Sequence, residues 1–441
     1  LEKIFDNTDL QKMSSITDLS KSTKDDLIEY ESRISCSHYG FSAISRNDKV
    51  LVLGFDFGST CSKIVVRFPY ETIKDAPVAI PAVPCMAVEN NPYYWKSEVF
   101  LKSDGSFTLM PDKKIKRFNN LKMAFIRRAD SKIFDINEED IPIIAYIALM
   151  TKQALGWISK RHPKFSSENV TAELNFGFPA KSFEESASLI KYKKVLTFVA
   201  KILEEKNEVS LAVIKNIIDK SQIETVKIET EVSVVPEIVA AVSGFANSTE
   251  ASLGEYLIID IGGLSIDYAF FSIRNYPNST EINFGIVSAG SKKHGVEILN
   301  NSKRPQKDMC GVLYMNVLAA VEEAYQKLYF PGRDWRDLEL PVFLTGGGRK
   351  LGAYRKVVQM LNVKGIPAKY FRKCKLRDIH RFYGLDHSLI KDRIPNRLIV
   401  AYGLSFPALE IPDWYTPDQH KPVQQMQTTD LTTSYIGPEQ V

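Results

Sequence analysis

The stretch LVLGFDFGSTCSKIVVRF, Leu51 to Phe68, decides how the rest of this sequence is interpreted. An apolar run stops at Asp56, a small hydroxyl-rich turn follows at Gly58, Ser59 and Thr60, and a second apolar run begins. Asp-x-Gly is common turn chemistry, so the ordinary explanation is a β-hairpin. The alternative is a phosphate site with a metal ion, because glycine lets backbone N–H groups curl around an anion.

A second copy of this pattern lies in YLIIDIGGLSIDYAFF, Tyr256 to Phe271. When Asp56 is aligned with Asp260, each copy is an apolar strand, an aspartate, one apolar residue, a glycine, small residues and another apolar strand. Two copies indicate a duplicated unit whose turns enclose a site between them. Facing carboxylates beside a phosphate cradle suit a hydrated Mg²⁺, which prefers oxygen ligands and keeps several waters.

Three further segments carry residues that suit a phosphate site, although each has an ordinary alternative. The Gly346–Gly348 turn opens a helix, where bare backbone can receive a nucleotide; alone it is equally well a tight strand-to-helix turn. Glu237 starts another helix and could orient a water for attack on phosphorus, or merely complement the helix dipole. Lys122 could neutralise charge on a transferred phosphoryl group, or be a surface lysine. The sequence contains neither a GxxxxGK[ST] loop nor a GxGxxG fingerprint.

Composition sets limits on the class of protein. The 441 residues suffice for two domains or one large two-lobed domain. Apolar residues make up 44% and charged residues 25%, as in an ordinary globular protein. The net charge of +4 is too small and too dispersed to indicate a nucleic-acid partner.

The cysteines and the apolar runs predict the cellular setting. The 5 cysteines form no CxxC pair, which favours a thiol-reducing, cytoplasmic location over a disulfide framework. The longest apolar run, Ile141 to Met150, is too short to cross a bilayer, so we expect a buried helix over Ile141 to Arg161 and no membrane span.

Strands alternate with helices along the chain, which predicts an α/β fold with mostly parallel or mixed sheets. Residues 1–48 are polar and without strand pattern, and we interpret them as an N-terminal arm or linker. Residues 413–441 are rich in Pro, Gln and Thr and are expected to form an extended tail.

Taken in order, the motifs resemble the five signatures of the superfamily of actin, DnaK-type chaperones and sugar kinases. The matching segments are GFDFGSTCSK and IIDIGGLSID for the two phosphate motifs, VVPEIVAAV and RLIVAYGLSF for the two connecting motifs, and VFLTGGGRKL for the adenosine motif. NFGFPAKSF also looks like a chaperone strand, and FNNLKMAF looks like the segment that carries the catalytic lysine of divergent DnaK-type relatives. The resemblance covers about residues 50–409.

The resemblance implies a two-lobed actin-like ATPase fold, each lobe a mixed β-sheet with flanking helices, with ATP or ADP and Mg²⁺ in the cleft. Lobe I would span residues 49–240, closed by roughly 386–412, and lobe II residues 241–385. Asp56 and Asp260 would hold Mg²⁺; the implied catalytic residues are Asp56, Glu237, Asp260 and Lys122. The implied nucleotide-binding residues are Gly58, Ser59, Thr60, Lys63, Gly262, Gly263, Ser265, Gly290, Gly346, Gly347, Gly348 and Lys350.

The sequence departs from the chaperone pattern at several positions. Chaperones place the catalytic glutamate before the proline of the first connecting motif, whereas here Val235 precedes that proline and Glu237 follows it, as in plasmid-segregating actins of the ParM kind. Leu264 replaces a third glycine, and the paired glycine of the second lobe corresponds to Gly290-Ser291. The basic helix that sandwiches adenine has no clean match.

Three functions are compatible with this resemblance, because fold does not fix function. The favoured one is a DnaK-like ATPase that switches conformation with nucleotide and signals to an unidentified protein partner, without its own peptide-binding domain. The alternatives are an actin-like filament-forming ATPase of the ParM or MreB type and a small-molecule kinase.

Overall fold

The computed structural model describes residues 39–40, 49–70, 76–88, 91–111, 115–130, 135–165, 170–179, 186–205, 208–223, 232–275, 282–301, 306–328, 339–363, 373–385 and 396–411. The expected N-terminal arm lies outside these residues apart from Tyr39 and Gly40, and the expected C-terminal tail lies outside them entirely.

The secondary structure of the described residues alternates between strands and helices. The strands are β1 (Tyr39–Gly40), β2 (Lys49–Asp56), β3 (Cys61–Arg67), β4 (Val78–Ala79), β5 (Ala87–Val88), β6 (Asn91–Lys96), β7 (Val99–Leu101), β8 (Phe107–Thr108), β9 (Lys116–Phe118), β10 (Val170–Phe178), β11 (Val232–Pro236), β12 (Gly254–Ile261), β13 (Ile266–Asn275), β14 (Ile282–Lys292), β15 (Glu339–Thr345) and β16 (Lys373–Arg377). The α-helices are α1 (Leu121–Asp130), α2 (Ile141–Arg161), α3 (Ser186–Glu205), α4 (Leu211–Ile223), α5 (Glu237–Ala246), α6 (Val296–Asn301), α7 (Gln306–Leu328), α8 (Gly352–Val363) and α9 (Ile399–Leu404).

The larger sheet is built around the first Asp-x-Gly hairpin. Its strand order is β1-β10-β2-β3-β6-β5, with β11 also paired to β10 and β4 to β3. Strands β2, β10 and β11 run parallel, whereas β3 is antiparallel to β2. These strands are nearly continuous apolar runs because helices α2 and α3 cover the sheet with apolar side chains.

The smaller sheet repeats this arrangement around the second hairpin. Its order is β14-β13-β12-β15-β16, with β12 antiparallel to β13 and parallel to β15, which is parallel to β16. In both sheets, therefore, the first strand of the hairpin pairs in parallel with a further strand, which pairs in parallel with another: β2-β10-β11 in the larger sheet and β12-β15-β16 in the smaller one. A duplicated unit predicts this shared arrangement. The predicted α/β class with mixed sheets is confirmed; the lobe boundaries stay a prediction.

Two helices cross where the apolar cores of the two sheets meet. Helices α5 and α9 contribute to one buried cluster that also contains residues of both sheets. A Cβ on Gly403 would lie 1.8 Å from the carbonyl oxygen of Ala240, and one on Gly244 would lie 2.4 Å from that of Ile399. Only glycine permits this close approach of two helical backbones. The helix pair thus links the two sheets beside the cavity described below.

Helix α2 has the length and apolar character of a membrane span but is a core helix. Asn137 accepts a hydrogen bond from the backbone N–H of Glu139, and Asp140 accepts one from that of Asn137, which caps the short 3-10 turn Glu138–Asp140 that leads into the helix. Within its most apolar window, 94% of the residues are buried inside the protein. Among the described helices of at least eighteen residues, no other one is apolar enough to cross a membrane.

Candidate active site

A cavity of about 520 Å³ lies between the turns of the two Asp-x-Gly hairpins. The sequence-predicted site residues line this cavity, except Gly290, Gly348 and Lys350. The members that it brings together are Asp56, Gly58, Ser59, Thr60, Lys63, Lys122, Glu237, Asp260, Gly262, Gly263, Ser265, Gly346 and Gly347. Residues far apart in the chain therefore share one pocket.

The first hairpin carries a buried ion pair. Antiparallel pairing of β2 and β3 places Asp56 directly opposite Lys63, and the Lys63 Nζ lies 2.6 Å from Asp56 Oδ2. Burial has the largest single effect and lowers the pKa of Lys63, but the charge and hydrogen bond of Asp56, together with the effect of Cys61, outweigh it and the net shift is upward. Lys63 is therefore a permanent cation at the floor of the cavity.

The second hairpin carries two carboxylates instead. Asp260 lies directly opposite Asp267. Thr345 donates a 2.7 Å hydrogen bond to Asp260 Oδ1, and Ser265 donates one of 2.9 Å to Asp267 Oδ2. Asp267 Oδ1 is buried and accepts no hydrogen bond of ordinary geometry from the described residues, although Ser291 lies directly opposite Asp267 on β14 and lowers its pKa against the larger upward effect of burial. Burial, together with the charges of Asp267 and Asp56, raises the pKa of Asp260 to about 6, against the Thr345 hydrogen bond, which lowers it.

Glu237 and Lys122 form a second buried ion pair at the cavity wall. Strand β11 ends at Pro236, so Glu237 is the first residue of α5. Lys122 is the second residue of α1, which begins directly after Asn120, whose φ of 53° is a left-handed conformation that asparagine tolerates. Burial raises the pKa of Glu237, the charge of Lys122 offsets part of that rise, and the charge of Asp56 adds to it.

The two phosphate-type turns touch each other through a residue that sequence reasoning missed. Thr60 Oγ1 donates a 2.6 Å hydrogen bond to Glu297 Oε1, and Ser59 Oγ lies 3.4 Å from the same oxygen. The backbone N–H of Glu297 in turn donates to the carbonyl of Gly263 at 2.8 Å. A carboxylate thus bridges the hydroxyl turn of the first hairpin to the glycine turn of the second.

The structure places Gly290 in strand β14, away from the cavity lining. It is paired with Tyr268 of β13, and a Cβ there would lie 2.4 Å from the Tyr268 hydroxyl. Gly295 packs against the glycine turn of the second hairpin, since a Cβ on it would lie 2.4 Å from the backbone of Gly263.

The glycine turn after β15 packs directly under the second hairpin. Gly346 has a φ of 75°, and a Cβ there would lie 2.8 Å from Asp260 Oδ1, so glycine is required for both conformation and space. Gly347 lines the cavity, whereas Gly348 is buried against Ile261. The exposed Lys350 lies outside the lining.

The cavity carries more cationic than anionic side chains. Its cations are Lys63, Lys122, Arg127, Lys293 and Arg397, and its carboxylates are Asp56, Glu237 and Asp260. Arg127, Lys293 and Arg397 were missed because single basic residues in a sequence carry no pattern. A positive lining suits a multiply charged anion such as a phosphate ester.

The donor set fits a magnesium ion that keeps most of its waters. Among the described residues, no group of three or more His, Cys, Asp or Glu side chains could hold a metal by itself. Asp56 and Asp260 nevertheless line the same cavity, and the buried carboxylate of Asp267 lies directly opposite Asp260 across the hairpin. Mg²⁺ is usually bound by one or two carboxylates plus substrate phosphates rather than by a complete protein cage.

Comparisons with known proteins give fold-level likenesses only. No family model matches the chain, and no curated protein matches it. An exopolyphosphatase from Cytophaga hutchinsonii is similar at 13% identity and a TM-score of 0.29, over 67% of this chain and 66% of that one, just under two thirds of its length. An archaeal actin homologue is similar at 14% identity and a TM-score of 0.35, over 80% of this chain and 98% of that one. At these TM-scores neither likeness carries an argument about this chain.

Proposed function

We propose that the cavity binds Mg·ATP and hydrolyses it slowly, as an actin-type ATPase cleft. The observation that carries the proposal is that two copies of one hairpin, each with a buried aspartate, open into a single cation-rich cavity. The glycine turn at Gly346 and Gly347 supplies bare backbone at the same cavity, where a nucleoside can lie.

Each residue of the cavity has a role in this proposal. Backbone N–H groups and hydroxyls of the turns at Gly58–Thr60 and Gly262–Ser265 bind the phosphates, with Lys63 beneath them. Asp56 and Asp260 would hold the hydrated Mg²⁺, which neutralises phosphate charge when bound.

Hydrolysis requires a positioned water and a stabilised leaving group. Glu237, whose pKa burial raises, accepts a hydrogen bond from that water and takes its proton as the water oxygen bonds to the terminal phosphorus. The bond between phosphorus and the bridging oxygen breaks, and ADP and inorganic phosphate leave. Lys122, paired with Glu237, stabilises the charge that develops on the transferred group.

We further propose that nucleotide turnover drives a DnaK-like conformational switch read by a protein partner. Helices α5 and α9 cross between the two sheets and carry Glu237 and the cavity residue Val400, so a change at the phosphates reaches the junction of the sheets directly. The cytoplasmic location and the protein partner stay predictions, as do the filament and kinase alternatives.

The first experiment measures ATP turnover per molecule in Mg²⁺ as protein concentration is raised. A slow rate independent of concentration supports a monomeric switch, whereas a rate that climbs above a threshold concentration favours the filament.

Asp56→Ala and Asp260→Ala should abolish Mg-dependent binding, and Glu237→Ala should retain binding but lose roughly 100-fold or more in turnover. Glu208→Ala, at an exposed glutamate outside the cavity, is the matched control. Turnover by Glu237→Ala at the parent rate would refute its assigned role.

A further inference from the structure

Arg397 enters the cavity from the last described segment of the chain. It lies between the buried residues Asn396 and Leu398, just before α9. The Asn396 side chain donates a 3.1 Å hydrogen bond to the carbonyl oxygen of Leu344 in β15, which ties this segment to the smaller sheet. The base of the Arg397 side chain is therefore anchored, and its guanidinium lines the cavity.

The guanidinium is held in one orientation by the floor of the cavity. It lies over the ring of Tyr94, 4.2 Å from the ring centre, and its Nη2 is 3.0 Å from Cys61 Sγ. Tyr94 and Cys61 are themselves buried. Stacking on an aromatic face orients a guanidinium while leaving its edge directed toward solvent or a ligand.

Arg397 lies close to both of the turns assigned to the nucleotide. Cys61 directly follows the Gly58–Thr60 turn, and a Cβ on Gly347 would lie 3.5 Å from Arg397 Nη2. Its charge is close enough to Lys63 to lower that residue's pKa against the larger upward effect of Asp56. Two cations thus meet beside a turn of bare backbone N–H groups.

We infer that Arg397 is a phosphate-binding residue that contacts the diphosphate part of the nucleotide between the Gly58–Thr60 and Gly346–Gly347 turns. This inference rests on the proposed nucleotide function. A guanidinium presents a planar fork of N–H donors that binds phosphate oxygens in pairs, and its contacts are charge-assisted. Because ADP and ATP share this part, Arg397 binds the ground state and the transition state alike. Its removal should therefore raise KM for ATP and leave kcat unchanged.

The test compares affinities for MgADP, adenosine and inorganic tripolyphosphate in the parent and in Arg397→Gln. We expect ADP and tripolyphosphate to bind roughly tenfold to 100-fold more weakly to the variant, the cost of a charge-assisted contact, with adenosine unchanged. Arg397→Lys keeps a charge but loses the fork, so its ADP affinity should be intermediate. Arg377→Gln, at an exposed arginine of β16, is the matched control and should bind all three as the parent does.

Positioning by Tyr94 is tested in the same assay. Tyr94→Leu removes the aromatic face and should weaken ADP binding more than Tyr94→Phe, which keeps the face. Because leucine also leaves a cavity at this buried position, both Tyr94 changes are repeated in Arg397→Gln. There the two should bind ADP equally if Tyr94 acts by orienting the guanidinium, whereas a remaining difference would indicate a general loss of packing.

The outcomes separate this inference from the proposed function. ADP affinity unchanged in both Arg397→Gln and Arg397→Lys, or adenosine weakened as much as ADP, overturns the role of Arg397 while nucleotide binding stands. A parent that binds tripolyphosphate through Arg397 but neither ADP nor adenosine refutes the nucleotide function and keeps the phosphate contact. A parent that binds none of the three refutes both.

Discussion

The two Asp-x-Gly hairpins have the same antiparallel strand pairing but differ in the residue that faces the aspartate. In both copies that residue comes seven positions later and lies directly across the hairpin. In the first copy it is Lys63, which neutralises Asp56 at 2.6 Å. In the second it is Asp267, so two carboxylates face each other beneath the same cavity.

This difference gives the two hairpins different charges on either side of the cavity. In the first hairpin the charge of Asp56 is balanced by that of Lys63, and this lysine places a positive charge beside the cavity that can attract an anion. The second hairpin is left with negative charge that burial makes unfavourable, as the raised pKa values of Asp260 and Asp267 show. A cation bound there would relieve that cost, so in the proposed function we expect Asp260 to contribute more to Mg²⁺ binding than the lysine-paired Asp56, and the first hairpin to contribute more to phosphate binding.

The largest expected effect on stability comes from removing the lysine that neutralises Asp56, so that the first hairpin, like the second, has a buried aspartate without a cation opposite it. Lys63→Met leaves Asp56 buried without its partner, which should lower the free energy of unfolding by about 3–5 kcal/mol in urea at neutral pH without nucleotide. Adding Asp56→Asn to Lys63→Met removes the stranded charge and should recover most of the loss. A loss below about 1 kcal/mol in the single variant would show that the Asp56–Lys63 pair contributes no more than a surface pair.

The pH dependence of stability measures the charge on the second hairpin. Burial raises the folded-state pKa of Asp260 to about 6, above the value near 4 of an unfolded aspartate. The folded state therefore binds the extra proton, and the stability it provides is present below about pH 4 and lost as pH rises through about 6. Relative to Asp260→Asn, the parent should lose ~3 kcal/mol of unfolding free energy across this window. Parallel pH profiles for the two proteins would contradict the assignment.

Magnesium binding should show the opposite pH trend, because a carboxylate must be deprotonated to bind a metal. Affinity for Mg²⁺ in the presence of ADP should thus rise through about pH 6 in the parent. This behaviour would separate a metal site from a carboxylate pair that serves the fold alone.

A smaller effect is expected when the facing carboxylate of the second hairpin is neutralised. Asp267→Asn keeps an acceptor for the Ser265 hydroxyl and removes a like charge directly opposite Asp260. The metal-free protein should become more stable by up to about 1 kcal/mol at mildly alkaline pH. Thermal unfolding with and without magnesium chloride checks this, since the metal should raise the unfolding temperature of the parent more than that of the variant. A variant less stable than the parent without metal would show that Asp267 is not under repulsion.

The sequence predicted the hairpins, the α/β class and helix α2 because each depends on local pattern. Periodic apolar runs bounded by glycine turns specify strands wherever a sheet is covered on both faces. Helix α2 spans Ile141–Arg161, the range predicted from its apolar run and its length.

The cross-cavity contacts could not be predicted from local pattern. Arg397 contacts Cys61, 336 positions earlier, and Glu297 accepts a hydrogen bond from Thr60, 237 positions earlier. A single arginine or glutamate has no period, so only the folded chain shows that these side chains face the cavity.

The smallest effect tests the one carboxylate that joins the two hairpins. Glu297 accepts hydrogen bonds from hydroxyls that the proposed function assigns to phosphate, so its negative charge competes with an incoming anion. Glu297→Gln keeps an acceptor for Thr60 and removes the charge, and should tighten ADP binding by about twofold to fivefold, less than the worth of one full hydrogen bond. The same change at the exposed Glu208, outside the cavity, is the control. Weaker ADP binding by Glu297→Gln would mean instead that this carboxylate helps to bind the nucleotide, and the second hairpin would then contribute more than a metal site.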